Sequence, residues 1–164
     1  MSPSITSADG SNLEVECLSC ALVSGVVPPT GGVIFESAHF HVHQDVAYPI
    51  RGLVIVAAKR HFYCLDELTA VEQTEFISLV HKLRHEQRIR LGIEKVYYFY
   101  NEDTTHHFHF WMVPRYAWMD QFGRSVESLR PVLLYARNNM NDEKNRKTVL
   151  EGISALQAGM KAYK

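Results

Sequence analysis

No run of apolar residues in this sequence approaches the roughly 18 that a bilayer-spanning helix needs. A membrane partner is therefore not expected. Charge of one sign is missing too: 17 Lys and Arg stand against 18 Asp and Glu, for a formal net charge of −1. A nucleic-acid clamp normally shows a basic stripe, so nucleic acid is not expected as a partner. Cysteine is scarce, with only Cys17, Cys20 and Cys64. The opening "MSPSITSADG" lacks the basic start and apolar centre of a secretory signal. An odd number of cysteines without such a signal argues against a disulfide framework and for a cytoplasmic protein.

What is present is an ordinary globular mixture, 46% hydrophobic and 21% charged over 164 residues, which suits one domain. A chain near this length buries roughly 70% of its unfolded surface and needs no covalent staple. Residues 1–12, rich in Ser, Asp, Gly and Asn, are expected to form a flexible terminus, with one domain over 13–164.

Strand signals follow in order. "VSGVVPPTGG" (23–32) is punctuated by Pro and Gly and predicts a loop. "GVIFES" and "HFHVHQ" predict a hairpin joined near Ser37–Ala38, and "GLVIVAAKR" a strand buried on both faces. Thr69 and Glu72 form a capping-box pair that opens a long helix. Leu68, Val71, Phe76, Leu79, Val80 and Leu83 mark its buried stripe, and Gly92 its stop. "KVYYFYN" and "HHFHFWMVP" predict two more strands, the second ended by Pro114. From Ser125 the chain turns helical, with Pro131 in the first turn of one helix and "DEKNRKTVLEGISALQAGMKAY" forming another. The fold class is α+β: an antiparallel sheet of about five strands, one long helix and C-terminal helices.

Histidine recurs at alternate positions in two of these strands. Side chains alternate across a strand, so His107, His109 and Trp111 share one face, with Phe108, Phe110 and Met112 on the other. An apolar back and a polar front mark a site built on a strand. His39, His41 and His43 share a face in the same way. For His39 and His41 the expectation is plain surface exposure. His81 and His85, at i and i+4 on the long helix, are likewise expected on its wet face, within a solvated charged run.

"HFHFWMVPRY" (107–116) resembles the signature of the histidine-triad, or HIT, superfamily: alternating histidine and apolar residues followed by Pro-Arg. "CLSC", "FESAHFHVHQDVAYPIRGLVIVAAKRH", "LDELTAVEQTEF" and "GIEKVYYFYN" fall in matching order. The resemblance covers Cys17 to Tyr116, which would make 17–116 the HIT-like core and 117–164 a helical extension. It implies that His109 is a nucleophile toward the α-phosphate of a nucleotide, with His107 beside it and a nucleotidyl-histidine intermediate resolved by water or another acceptor. The place of the third histidine falls on Trp111, whose indole N–H donates but cannot titrate. Its loss weakens phosphate contact or leaving-group protonation. Two readings stay open: a hydrolase or nucleotidyltransferase acting on small nucleotide conjugates, or a nucleotide-binding module with weak or no catalysis.

By the same resemblance, His43 faces the base and Asp45 the ribose hydroxyls, while Asn101, Thr104 and Thr105 are candidate phosphate donors. The alternative for those last three is ordinary turn chemistry. The spacing of "CLSC" is that of a zinc hook or of a redox pair, and no βαβ unit is visible to support the redox reading. The resemblance implies a structural zinc held by Cys17, Cys20, His61 and His107. The alternative is a pair of reduced cysteines packed as small hydrophobes. A purine nucleotide or nucleotide conjugate is the implied partner, together with a second copy of the chain in a homodimer.

Overall fold

A computed structural model describes residues 4–6, 10–104 and 106–164. The segment expected to be a loose terminus contains paired backbone: β1 (Ser4–Thr6) lies antiparallel to β2 (Asn12–Glu14). A short helix, α1 (Leu18–Val23), follows, capped by Cys17, whose sulfur accepts from the Cys20 amide at 3.4 Å. Six residues are too few to show a periodic stripe, so periodicity alone did not flag α1.

The main sheet is built from β3 (Phe35–Glu36), β4 (Phe40–Gln44), β5 (Val54–Ala58), β6 (Lys95–Phe99) and β7 (His109–Arg115). Its order is β3-β4-β5-β7-β6, and each neighbouring pair is antiparallel. Pro114 does not end the last strand. It sits opposite Val96 on β6, beyond the stretch of β7 that pairs with β5. There its missing N–H costs the central ladder nothing.

Between β5 and β6 runs α2 (Ala70–Leu91). The Thr69 hydroxyl accepts from the Glu72 amide at 3.3 Å, and the Glu72 carboxylate accepts from the Thr69 amide at 2.8 Å. Gly92 closes the helix at φ 66°, in the left-handed region that glycine enters without a Cβ penalty. The stripe differs from expectation at Val71, which is 63% exposed. Its neighbour Glu72 takes the inward place, held by Arg60 at 2.9 and 3.1 Å. Farther along, Gln87 is buried and donates to the Gly52 carbonyl at 2.9 Å. A polar residue that finds a buried partner can occupy the inward face, which a hydrophobic count does not anticipate.

Two helices complete the chain, α3 (Val126–Asn139) and α4 (Glu143–Met160). Pro131 lies inside α3 rather than in its first turn. The two faces of the sheet carry separate cores. Phe40, Val42, Val56, Phe108 and Met112 pack with Phe76, Leu79 and Leu83 of α2 and with Val149, Ile153 and Leu156 of α4. Each such large side chain removed from water contributes about 1.5–3 kcal/mol. On the opposite face, Ile55, Ala57 and Val113 pack with Leu129, Val132, Leu133 and Ala136 of α3. The functional candidates stand on this second face. Among the described residues no helix is long and apolar enough to cross a membrane.

Candidate functional site

Strand register sets the site. His41 lies opposite Ala57, and Ala57 opposite His109; two residues along, His43 lies opposite Ile55, and Ile55 opposite Trp111. The two histidine strands are therefore parts of one surface, separated by β5. The small Ala57 leaves room for imidazoles on both sides. His41 is not on the exterior as expected: it is 1% exposed, and its Nδ1 lies 3.1 Å from Nδ1 of His43. It is enclosed between His43 and Glu36, whose carboxylate lies 3.7 Å from its Nε2. His39, at the strand entrance, stays half-exposed and meets Glu75 at 2.5 Å.

A cavity of about 210 Å³ opens on this face, lined by His43, Asp45, Tyr48, His109, Trp111 and Arg137. Leu18 and Leu22 of α1 and Ile5 of β1 add an apolar wall. His109 is fixed in one tautomer. Its Nδ1 donates to the His107 carbonyl at 2.8 Å, which leaves the lone pair on Nε2. Burial lowers the His109 pKa below the usual histidine value, against the opposing pull of that carbonyl, so the ring is neutral at pH 7. Burial also pushes His43 down to about 3, helped by the proximity of His41 and His109. Asp45 is pushed up to about 6 by burial. Opposing that rise, its Oδ1 accepts from the amides of Ala47 at 2.7 Å and Tyr48 at 2.9 Å, and Arg137 acts in the same sense.

At the start of β7 a second cluster forms. One donor atom each from Cys17, Cys20, His61 and His107 lies within 4.8 Å of the others. His61 Nδ1 and His107 Nδ1 are 3.1 Å apart, Cys20 Sγ is 3.1 Å from His61 and 3.3 Å from His107, and Cys17 Sγ is 3.4 Å from His107. A tetrahedral cation with metal–sulfur bonds near 2.3 Å and metal–nitrogen bonds near 2.0 Å would place its ligands about 3.3–3.8 Å apart. The residues fit such an ion. His107 is oriented for it: Nε2 donates to the Ala58 carbonyl at 2.7 Å, so Nδ1 turns its lone pair into the cluster. Burial, with Cys17 alongside, pushes the Cys20 thiol up to about 11, a cost that a bound dication reverses. Cys64 is a free cysteine apart from this group.

None of the protein-family models matches this chain. An uncharacterized HIT-like protein of Methanocaldococcus jannaschii is 27% identical over 105 residues, 61% of this chain and 79% of that protein. A zinc-bound histidine triad family protein from Mycobacterium smegmatis superimposes with a TM-score of 0.60 at 21% identity, covering 87% of this chain and 96% of its own. A hypothetical histidine triad nucleotide-binding protein of Sulfolobus tokodaii gives 0.60 at 17% identity, covering 90% and 99%. The chain has the fold of the histidine-triad proteins.

Within this histidine-triad fold, two of the sequence candidates, Asn101 and Thr104, are not among the residues that line the cavity. Thr105 lies outside the described residues. Thr104 donates to Asn101 Oδ1 at 2.9 Å, and Thr104 lines a different cleft, beside Cys17, Cys20 and His61. Their loop is drawn toward the end of β5 by Glu102, which accepts from Tyr100 at 2.6 Å and from the Leu65 amide at 3.2 Å. Asn101 and Thr104 thus make turn bonds to each other instead of facing His109. Conversely, sequence reasoning missed Tyr48 and Arg137. Arg137 stands over the Tyr48 ring at 5.4 Å and donates to the Thr6 carbonyl at 2.8 Å. It reaches the cavity from α3, far along the chain, and no local pattern marks it. Trp111 packs against Tyr48 at 5.7 Å and Phe99 at 6.0 Å. The cavity wall thus offers an unprotonated imidazole nitrogen, a carboxylate and a guanidinium within one small volume.

Proposed function

We propose that this protein binds a purine nucleotide conjugate in the cavity between α1, β4 and β7, and that His109 attacks its α-phosphate. The observation that carries this reading is the His109 tautomer: Nδ1–H held by the His107 carbonyl at 2.8 Å, with Nε2 bearing the lone pair. Nε2 forms a bond to phosphorus, the leaving group departs, and water or another acceptor resolves the nucleotidyl-histidine. Asp45 accepts the ribose hydroxyls and His43 flanks the base, its neutral ring suited to stacking. Leu18 and Leu22 give the base an apolar wall.

Cys17, Cys20, His61 and His107 hold a structural zinc ion, which ties α1 to the start of β7. This reading is supported by the donor set and by the fixed tautomer of His107. Residues 13–164 act as one domain, with 17–116 as its core and 117–164 as a helical extension. Two copies pair in the cytoplasm through α2 and β6. Strand β6 is at an edge of the sheet, and Tyr98 on it is half-exposed, which suits such pairing.

A second reading follows from one observation. Trp111 occupies the third position of the signature and cannot move a proton, so the cavity could hold a nucleotide without turning it over. Incubation with a labelled adenylyl substrate and an alkaline quench separates the two. An acid-labile, alkali-stable label that disappears in His109→Ala supports the enzyme. Nucleotide-induced thermal stabilisation without label supports the binding module, and absence of both refutes nucleotide recognition altogether.

A further inference from the structure

His41 is a buried histidine that the proposed chemistry leaves unused. Alternation along β4 puts it on one face with His43, and the β3–β4 register sets Glu36 directly opposite it. The three side chains form a row. His41 Nδ1 lies 3.1 Å from His43 Nδ1, and His41 Nε2 lies 3.7 Å from one carboxylate oxygen of Glu36. Lys59 meets the other Glu36 oxygen at 3.6 Å. His41 Nε2 is sealed from solvent and has no hydrogen-bond partner among the described residues. At the far end of the row His43 lines the cavity, beside Asp45, His109 and Trp111. Its Nε2 makes no hydrogen bond to a described residue and is not closed off as His41 Nε2 is, so it opens into the cavity.

Protons are scarce along this row. Burial holds His43 down at about 3 and His41 below the usual histidine range, so both rings are neutral at pH 7. Two neutral imidazoles share two N–H groups among four nitrogens, and one of those protons lies between the two Nδ1 atoms. Two arrangements satisfy that count. In the first, His41 donates to His43. The bare Nε2 of His41 then faces the Glu36 carboxylate, acceptor against acceptor, and His43 shows an N–H to the cavity. In the second, His43 donates to His41. The Nε2–H of His41 then points at the carboxylate, and His43 shows a lone pair to the cavity. A carboxylate attracts an N–H dipole and repels a lone pair, and burial strengthens both effects. Glu36 thus favours the second arrangement.

We propose that Glu36, acting through His41, fixes His43 as a hydrogen-bond acceptor in the cavity, and that this selects a base whose edge donates there, as the 6-amino group of a purine does. The inference rests on the nucleotide reading above and turns His43 from a flanking ring into a residue that determines specificity. Glu36 and His41 are positioning residues, since neither lines the cavity. A base with a carbonyl at that place would set oxygen against the His43 lone pair. A base with a bare C–H there would bury the lone pair without a partner. Either forfeits the bond, and a site built around a donor discriminates against a ligand that lacks it.

Nitrogen-15 NMR of the histidine rings in the full chain reads which nitrogen of each ring carries its proton. Wild type is expected to hold the proton on Nε2 of His41 and on Nδ1 of His43. Glu36 is on the exterior, where Glu36→Lys puts a donor in place of the acceptor, and this variant is expected to reverse both tautomers. Calorimetric affinities for AMP and for purine riboside 5′-monophosphate, the same nucleotide without its 6-amino group, read the consequence. Wild type should bind AMP about tenfold tighter, the scale of one hydrogen bond to a buried acceptor. Glu36→Lys should bind the two equally, and Glu36→Asp should keep part of the preference. The proposal is overturned if wild-type His43 carries its proton on Nε2, a result that stands even where a variant does not fold. It is overturned equally if folded Glu36→Lys leaves both tautomers in place. Equal affinity of wild type for the two nucleotides overturns the role of His43 and leaves the nucleotide reading standing. Binding of neither overturns that reading as well.

Discussion

Asp45→Asn separates what the cavity does for binding from what it costs in stability. The Asp45 carboxyl rises from an ordinary 3.8 to about 6, chiefly because burial disfavours its charged form. Its pKa is thus higher in the folded chain than in the unfolded one. Between those values the native state holds the extra proton, so stability falls as pH rises through that window. Above pH 6 the full cost of the buried charge is present, at most about 3 kcal/mol for a shift of this size. Asparagine keeps an oxygen for the Ala47 and Tyr48 amides and removes the charge. It also strips Arg137 of a nearby anion, which offsets part of the gain. The net expectation is a stabilisation of about 1–2 kcal/mol at pH 8, or a melting temperature about 2–8 °C higher. The difference should shrink steadily below pH 6 and vanish only well below pH 3.8, where Asp45 is protonated in both states. Ribonucleotide-induced stabilisation should shrink in the same variant, because an amide replaces a carboxylate at the hydroxyls. Melting curves of wild type and Asp45→Asn from pH 4 to pH 8, with and without AMP, measure both effects. A variant less stable than wild type at pH 8, or a difference independent of pH, would refute the account of Asp45 as a strained, buried charge.

Two further outcomes follow from the geometry. Cys17→Ala removes one corner of the sulfur–nitrogen quartet and should lower bound zinc by elemental analysis from about one ion per chain to well below it. Melting should become insensitive to chelator in that variant, and unchanged zinc content would refute the ligand assignment. Trp111→His restores a titratable ring beside His109; a gain of about tenfold or more in phosphoramidate turnover is expected, the scale of a restored general acid. No change or a loss would mean that Trp111 serves the cavity through its contacts with Tyr48 and Phe99.

Much of the architecture was legible because it rests on local rules. The capping pair at Thr69 and Glu72, the left-handed stop at Gly92 and the alternation in β4 and β7 each depend on residues a few positions apart. The spacing of Cys17 and Cys20 was equally visible, and the structure places His61 and His107 against them. What local rules could not supply was which elements cover which face. His41 looked exposed because nothing in "HFHVHQ" says which side of the sheet is covered. Asn101 and Thr104 lie close to β7 in sequence, yet they are not among the cavity's lining residues, and Glu102 ties their loop to Tyr100 and Leu65. Arg137 could not be anticipated at all, since its place is decided by the packing of α3 against Ile55, Ala57 and Val113.

His107 joins two jobs in one residue. Its ring closes the cysteine–histidine quartet, and its main-chain oxygen holds the imidazole of His109. The cluster and the His109 ring are therefore not separate modules that selection can adjust one at a time. Any drift of the His107 peptide plane re-aims both, which leaves this backbone oxygen as the common axle of the cysteine–histidine quartet and the cavity.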